Sequence, residues 1–165
     1  MSIIQKIPNM SDDELLTLFK NAFDLIERRK NEEQANHVLR EIQKEWELRL
    51  AKQIVGEYKS DRPQIGLLSS LGYSVGESGV RTKRRRLIID YIINETLPFV
   101  GSPAYMAEWG KPSTKKRYNK LQSVLSEMIF QNKNKGWDKA IIEWTEDLEY
   151  LREKWKKERG LFKCK

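Results

Sequence analysis

Near the C-terminal end of the chain, six apolar residues recur at a spacing that few structures use. Trp137, Ile141, Trp144, Leu148, Leu151 and Trp155 are separated by 4, 3, 4, 3 and 4 positions. That is the a/d rhythm of a helix whose apolar stripe packs on another helix. A strand, with its period of two, cannot generate it. The same helical period recurs upstream. Leu15, Leu18, Phe19, Ala22, Phe23, Leu25 and Ile26 form one stripe, and Ala35, Leu39, Ile42, Trp46 and Leu50 form a second. Tyr118, Leu121, Val124, Leu125, Met128 and Ile129 form a third. Leu87, Ile88, Ile89, Tyr91, Ile92 and Ile93 leave little polar surface between them, which marks the helix buried on most sides. That run is β-branched and competes as a strand, but 17 residues without an internal breaker favour helix. The chain is expected to be all-α.

Breakers and caps divide these stripes. Ser11-Asp12-Asp13-Glu14 is a capping box with acids at the positive end of the helix dipole. Arg28-Arg29-Lys30 suits the negative end of the same helix, so this triplet needs no partner. A second helix is expected from Glu32 to about Tyr58, joined to the first through Lys30-Asn31. The turn chemistry of Ser60-Asp61-Arg62-Pro63, within Gly56 to Gly66, is the best boundary in the chain. It separates an N-terminal helical hairpin, residues 1–60, from a C-terminal helical domain, residues 66–165. In the second part Leu67 to Leu71 predicts one or two helical turns. The apolar helix begins between Ser78 and Thr82 and ends before Pro98. Residues 97–113 form an irregular loop containing Pro98, Gly101, Pro103, Gly110 and Pro112, with one helical turn over Tyr105 to Trp109. Ser113 is the expected N-cap of the next helix, Thr114 to Asn132. A polar turn follows, and the last helix runs from Trp137 to about Arg159, stopped by Gly160.

The net charge of +7 is not spread evenly. Residues 81–120 hold ten Lys/Arg and three acids, and the other 125 residues hold 21 of each. A concentrated positive field of this kind attracts polyanions. The cations also sit where the backbone least favours them. Arg81, Lys83, Arg84, Arg85 and Arg86 open one helix, and Lys115, Lys116 and Arg117 open another, with Lys120 one turn on. Cations at a helix N-terminus oppose its dipole, and a bound phosphate would resolve the conflict. Arg84, Arg85 and Arg86 point in three directions about 100° apart, so only a subset meets one ligand. Between the clusters, Tyr105 and Trp109 are candidates either to stack on unpaired bases or to anchor the core.

Other chemistry finds little to stand on. His37 is the only histidine, so a Ser-His-Asp site has one place to form, in an ordinary helix pattern. Cys164 is the only cysteine, and no Cys/His set exists for zinc. Acid pairs such as Asp12/Asp13 and Glu146/Asp147, with Glu143 and Glu149, fall on charged helix faces. Gly76-Glu77-Ser78-Gly79 lacks the Gly-Lys-Ser/Thr ending of a phosphate-binding loop. No enzyme, metal or cofactor is expected. No apolar run approaches a membrane span and no signal sequence is evident, so a cytoplasmic protein without a membrane partner is expected.

Several stretches together carry a resemblance. They are Leu71-Gly72-Tyr73-Ser74-Val75-Gly76, Lys83-Arg84-Arg85-Arg86-Leu87-Ile88-Ile89, Leu97-Pro98-Phe99 and Tyr105-Met106-Ala107-Glu108-Trp109-Gly110. Pro112-Ser113, Arg117 and the run from Ala140 through Glu143, Trp144, Glu146, Asp147 and Leu148 to Leu151 complete them. Over residues 66–155 the chain resembles a C-terminal domain of small bacterial proteins of unknown function. The resemblance implies a bacterial or mobile-element setting and carries no activity.

The leading expectation is a non-enzymatic protein that contacts the phosphates of DNA or RNA through Arg81, Lys83, Arg84, Arg85, Arg86, Lys115, Lys116, Arg117 and Lys120, with little sequence reading. The alternative is a protein-interaction module: a homodimer, or an accessory of a bacterial defence or mobile-element system whose basic patch docks on an acidic protein.

Overall fold

The computed structural model describes residues 2–54 and 65–160. Among these residues the chain is all-α, with no strand. Its helices are α1 (Ile3–Lys6), α2 (Asp12–Glu27), α3 (Glu32–Ile54), α4 (Leu67–Ser70), α5 (Thr82–Asn94), α6 (Pro103–Trp109), α7 (Lys115–Asn132) and α8 (Asp138–Gly160), with a 3-10 turn at Ile7–Asn9. The turn read at Ser60 to Pro63, the expected extension of the second helix to Tyr58, and Cys164 lie outside the described residues. No described helix is long and apolar enough to cross a membrane.

The chain forms two compact units. The first comprises Met1–Gly72 and Thr96–Ala107, the second Tyr73–Glu95 and Glu108–Lys165. In the first unit α2 packs on α3. The capping box forms as expected: Ser11 N–H donates to Glu14 Oε2 at 2.7 Å, and Glu14 N–H donates to Ser11 Oγ at 3.3 Å. Leu15, Phe19, Ala22 and Phe23 of α2 are buried, as are Ala35, Val38, Leu39, Ile42 and Trp46 of α3. Phe19 stacks on Phe23 at 5.1 Å and leans on Trp46 at 5.7 Å. Arg49 reaches from α3 to Asp12 and to the Met10 carbonyl, tying the end of one helix to the start of the other.

The basic triplet after α2 lies one step beyond where the dipole argument put it. The last helical residue is Glu27. Lys30 N–H donates to Leu25 O at 2.9 Å and Arg29 N–H to Ile26 O at 3.0 Å. This is a Schellman closure, with Arg29 at φ 53° in the left-handed position that glycine usually takes. Residues 66–72 and 96–107, read in sequence as part of the C-terminal domain, belong to the first unit. Leu67, Leu68, Leu71, Leu97 and Met106 are buried. Leu67 N–H donates to Tyr105 Oη at 3.3 Å.

In the second unit α5, α7 and α8 pack pairwise. α5 is the core helix, burying Ile88, Ile89, Tyr91, Ile92 and Ile93. The stripe of α8 starts one turn late. Trp137 lies before the helix, 53% exposed, and its carbonyl accepts the Ile141 N–H at 3.0 Å. The buried set is Ala140, Trp144, Asp147, Leu148 and Leu151. Trp155 stacks on Tyr118 of α7, ring centres 4.6 Å apart and planes within 9°. The cap of α7 is Thr114, whose hydroxyl accepts the Arg117 N–H at 3.3 Å, not Ser113. Ser113, at φ 58°, instead donates its N–H to Ile93 O at 2.7 Å.

Candidate nucleic-acid interface

The nine basic residues singled out in the sequence fall into two groups once burial is known. Arg85 sits on the inward face of α5 and is fully buried. Its Nε donates to Asp147 Oδ2 at 2.7 Å, and its Nη1 to Glu143 Oε1 at 3.1 Å and to Val80 O at 3.0 Å. Glu143 and Asp147 are four residues apart on α8, so both reach the same guanidinium. The same carboxylates hold the loop before α5. Tyr73 Oη donates to Asp147 Oδ2 at 2.7 Å, and Gly76 N–H donates to Glu143 Oε2 at 2.6 Å. This corrects two expectations. Arg85 is not positioned to meet a phosphate, because its donors are spent inside the fold. Glu143 and Asp147 are not surface charges, because they neutralise it.

Burial pushes the Tyr73 phenol well above its ordinary value, and the Asp147 charge adds to the effect. A raised folded-state value gives stability that is complete below the unfolded phenol's value, about pH 10, and lost as pH rises beyond it. Tyr73→Phe is therefore expected to flatten the alkaline fall in stability above about pH 10 by up to ~1.4 kcal/mol per pH unit. Urea denaturation of both proteins across that range checks this; parallel curves would contradict it.

Arg117 is the second correction. It is 3% exposed and makes no ion pair among the described residues. Its Nε donates to Trp109 O at 3.0 Å, Nη1 to Ile92 O at 2.6 Å and to Glu95 O at 3.1 Å, and Nη2 to Gly110 O at 2.6 Å. Burial pulls the guanidinium down to about 10, so it remains charged at neutral pH. The Ile92 and Glu95 carbonyls lie at the negative end of α5. The cation that opens α7 thus closes α5, so for Arg117 the dipole conflict seen in sequence is resolved inside the protein.

Two further cations are engaged. The Arg86 guanidinium lies 4.8 Å from the Tyr150 ring centre, and Lys120 Nζ is 2.6 Å from Glu108 Oε2. The stacking candidates are also spent. Trp109 is 1% exposed, with its carbonyl on Arg117, and Tyr105 is half-buried with its hydroxyl on the Leu67 amide. Among the described residues of the second unit, the exposed aromatic rings are Phe130 and Trp137, on either side of the α7–α8 turn.

Arg81, Lys83, Lys115 and Lys116 remain on the surface, with Arg84 half-buried. Lys111, inside the same segment, is exposed as well. Among the described residues Arg81, Lys111, Lys115 and Lys116 have no acidic partner. The two clusters do not form one compact anion site. Arg81 is the N-cap of the 13-residue α5, whereas Arg117 places the start of α7 at the other end of that helix. The separation is therefore on the order of 20 Å.

The charge divides by unit. The second unit holds 20 Lys/Arg and 12 Asp/Glu, a net of +8, and the first holds 11 and 12, a net of −1. No protein-family model matches the chain, and no curated protein or solved structure matches it either.

Proposed function

We propose that the second unit binds the phosphate backbone of a nucleic acid and catalyses no reaction. The contacts are made by Arg81, Lys83, Arg84, Lys111, Lys115 and Lys116. The observation that carries this reading is the charge division, +8 against −1, combined with the burial of Arg85 and Arg117. Those two guanidiniums are accounted for by carboxylates and carbonyls inside the fold. The surplus is left to the surface, at two places on the order of 20 Å apart along α5. Successive phosphates of one polynucleotide span that distance; a single small anion does not.

Binding to mixed-sequence DNA and RNA across a range of salt tests the proposal. Neutralised phosphates release counterions, so the logarithm of the affinity should fall linearly with the logarithm of the salt concentration. Absence of binding at low salt would contradict it.

A second reading is favoured by one observation. Phe130, Trp137 and Ile142 are 70%, 53% and 58% exposed around the α7–α8 turn. In that reading this end of the unit docks on a protein or a second copy. A dimer in sedimentation that dissociates on Phe130→Ala with Trp137→Ala, without loss of helicity, would favour it.

A further inference from the structure

The exposed face of α7 differs from that of the other long helices. α2 opens on Asp12, Asp13 and Glu14, α3 on Glu32 and Glu33, and α8 exposes Glu146, Glu149 and Glu153. From residue 110 to residue 126 there is no acid at all. Instead Lys115, Asn119, Gln122 and Ser126 follow one another at intervals of 4, 3 and 4, with Lys116 and Ser123 beside them. Residues at that spacing share a single helix face. Asn119, Gln122, Ser123 and Ser126 line one shallow surface groove.

These side chains are also unspent. Three other polar side chains do bond back to their own helix: Thr17 to Asp13 O, Asn132 to Met128 O and Thr145 to Ile141 O. Among the described residues none of Asn119, Gln122, Ser123 and Ser126 makes a side-chain hydrogen bond. The opposite face is fixed, with Arg117, Leu121 and Leu125 buried. The polar face is therefore presented on a rigid support, which a reading surface needs.

We infer that α7 enters the major groove of duplex DNA and reads base edges through Asn119 and Gln122, with Lys115 and Lys116 on the flanking phosphates. This rests on the proposal that the unit binds nucleic acid, and goes beyond it by naming the duplex and the reading element. The fit is geometric and electrostatic. An α-helix about 10–12 Å across matches a major groove about 12 Å wide. The stretch from Lys115 to Ser126 covers about 16 Å, the rise of about five base pairs. Asn and Gln each carry the donor and the acceptor that adenine N7 and N6 require, and Ser pairs with either kind of edge. From Lys115 to Ser126 the helix carries no carboxylate, as the negative groove requires, and Glu127 follows it. Duplex RNA does not fit, because its major groove is too narrow and deep for a helix.

The test is selection from a pool of randomised DNA duplexes, followed by affinity measurements on the enriched duplex, on unselected DNA and on duplex RNA of the same sequence. The proteins are wild type and the double variant Asn119→Ala with Gln122→Ala. Wild type should enrich a short motif containing adenine and bind it in preference to the RNA duplex. The variant should lose at least about fivefold on the enriched duplex, with unselected DNA bound as before. No enrichment, RNA bound as tightly as DNA, or a variant indistinguishable from wild type on the enriched duplex would overturn the inference while leaving phosphate binding standing. A chain that binds no nucleic acid at low salt would overturn both.

Discussion

Arg85→Met is expected to cost the second unit about 3–5 kcal/mol of stability, the usual penalty for removing one partner of a buried ion pair. Methionine keeps much of the volume, so the loss is electrostatic rather than a cavity. What remains is Asp147, fully buried, and Glu143 close by, with no cation between them. Asp147 Oδ1 already lacks a hydrogen-bond partner among the described residues, which makes the carboxylate still more dependent on Arg85. The loop from Tyr73 to Val80 should loosen together with α5, because Asp147, Glu143 and Arg85 hold it at Tyr73 Oη, Gly76 N–H and Val80 O. Combining Arg85→Met with Asp147→Leu should recover part of the loss, because a buried pair replaced by apolar residues is often tolerated. Urea denaturation of the two proteins checks both statements. A single-variant loss below about 1 kcal/mol would mean that the pair contributes no more than a surface bridge.

Arg117→Met should be nearly as damaging, on the order of 3–4 kcal/mol. No carboxylate is stranded in this case. Instead four carbonyls lose their donor, those of Ile92 and Glu95 at the end of α5 and those of Trp109 and Gly110 at the entry to α7. The two ends are joined by one planar fork, and a lysine cannot reproduce it, because its three donors radiate from a single nitrogen. Arg117→Lys should therefore recover less than half of the loss. Under conditions where the variants remain folded, their affinity for nucleic acid should match wild type, since Arg117 does not face solvent. Hydrogen exchange at the C-terminal turn of α5 and denaturation midpoints measure the first effect, and a binding curve the second. A folded Arg117→Met protein that binds DNA markedly more weakly would show that the side chain reaches a phosphate after all.

The helices were legible in the sequence because their signals are local. The 3.6-residue stripes, the Ser11 capping box and the near-continuous apolar run of α5 each act within a few turns. Less was legible of the candidate site, because a run such as Lys83-Arg84-Arg85-Arg86 looks uniform in one dimension. Which of its members turns inward depends on where α8 lies. One signal was present. Asp147 falls three residues after Trp144 and four before Leu151, in the middle of the apolar stripe of α8, where a carboxylate requires a cation. Glu143 lies four residues before it and reaches the same guanidinium. Arg117 carried no such mark, since its partners are backbone carbonyls and carbonyls have no sequence signature. Tyr105 and Trp109 fall in a stretch whose prolines and glycines predict an irregular loop with one helical turn, and sequence alone leaves them open to stacking or to the core. The helical turn forms as α6, and both side chains serve the fold.

Much of the stretch from Tyr73 to Asp147 thus has a structural role. Tyr73, Gly76, Arg85, Glu143 and Asp147 form one network and Trp109, Gly110 and Arg117 another. The cations proposed to bind, Arg81, Lys111, Lys115 and Lys116 among them, are the ones these networks do not use.

The most direct test of that division is the salt dependence of duplex DNA binding for wild type and for Lys115→Ala with Lys116→Ala. Each phosphate contact contributes about 0.9 to the log–log slope. The double variant should therefore bind more weakly at low salt, with a slope smaller by about 2 and unchanged helicity and denaturation midpoint. An unchanged slope would contradict the account, because the exposed cations at the start of α7 would then not be the ones that meet the polyanion.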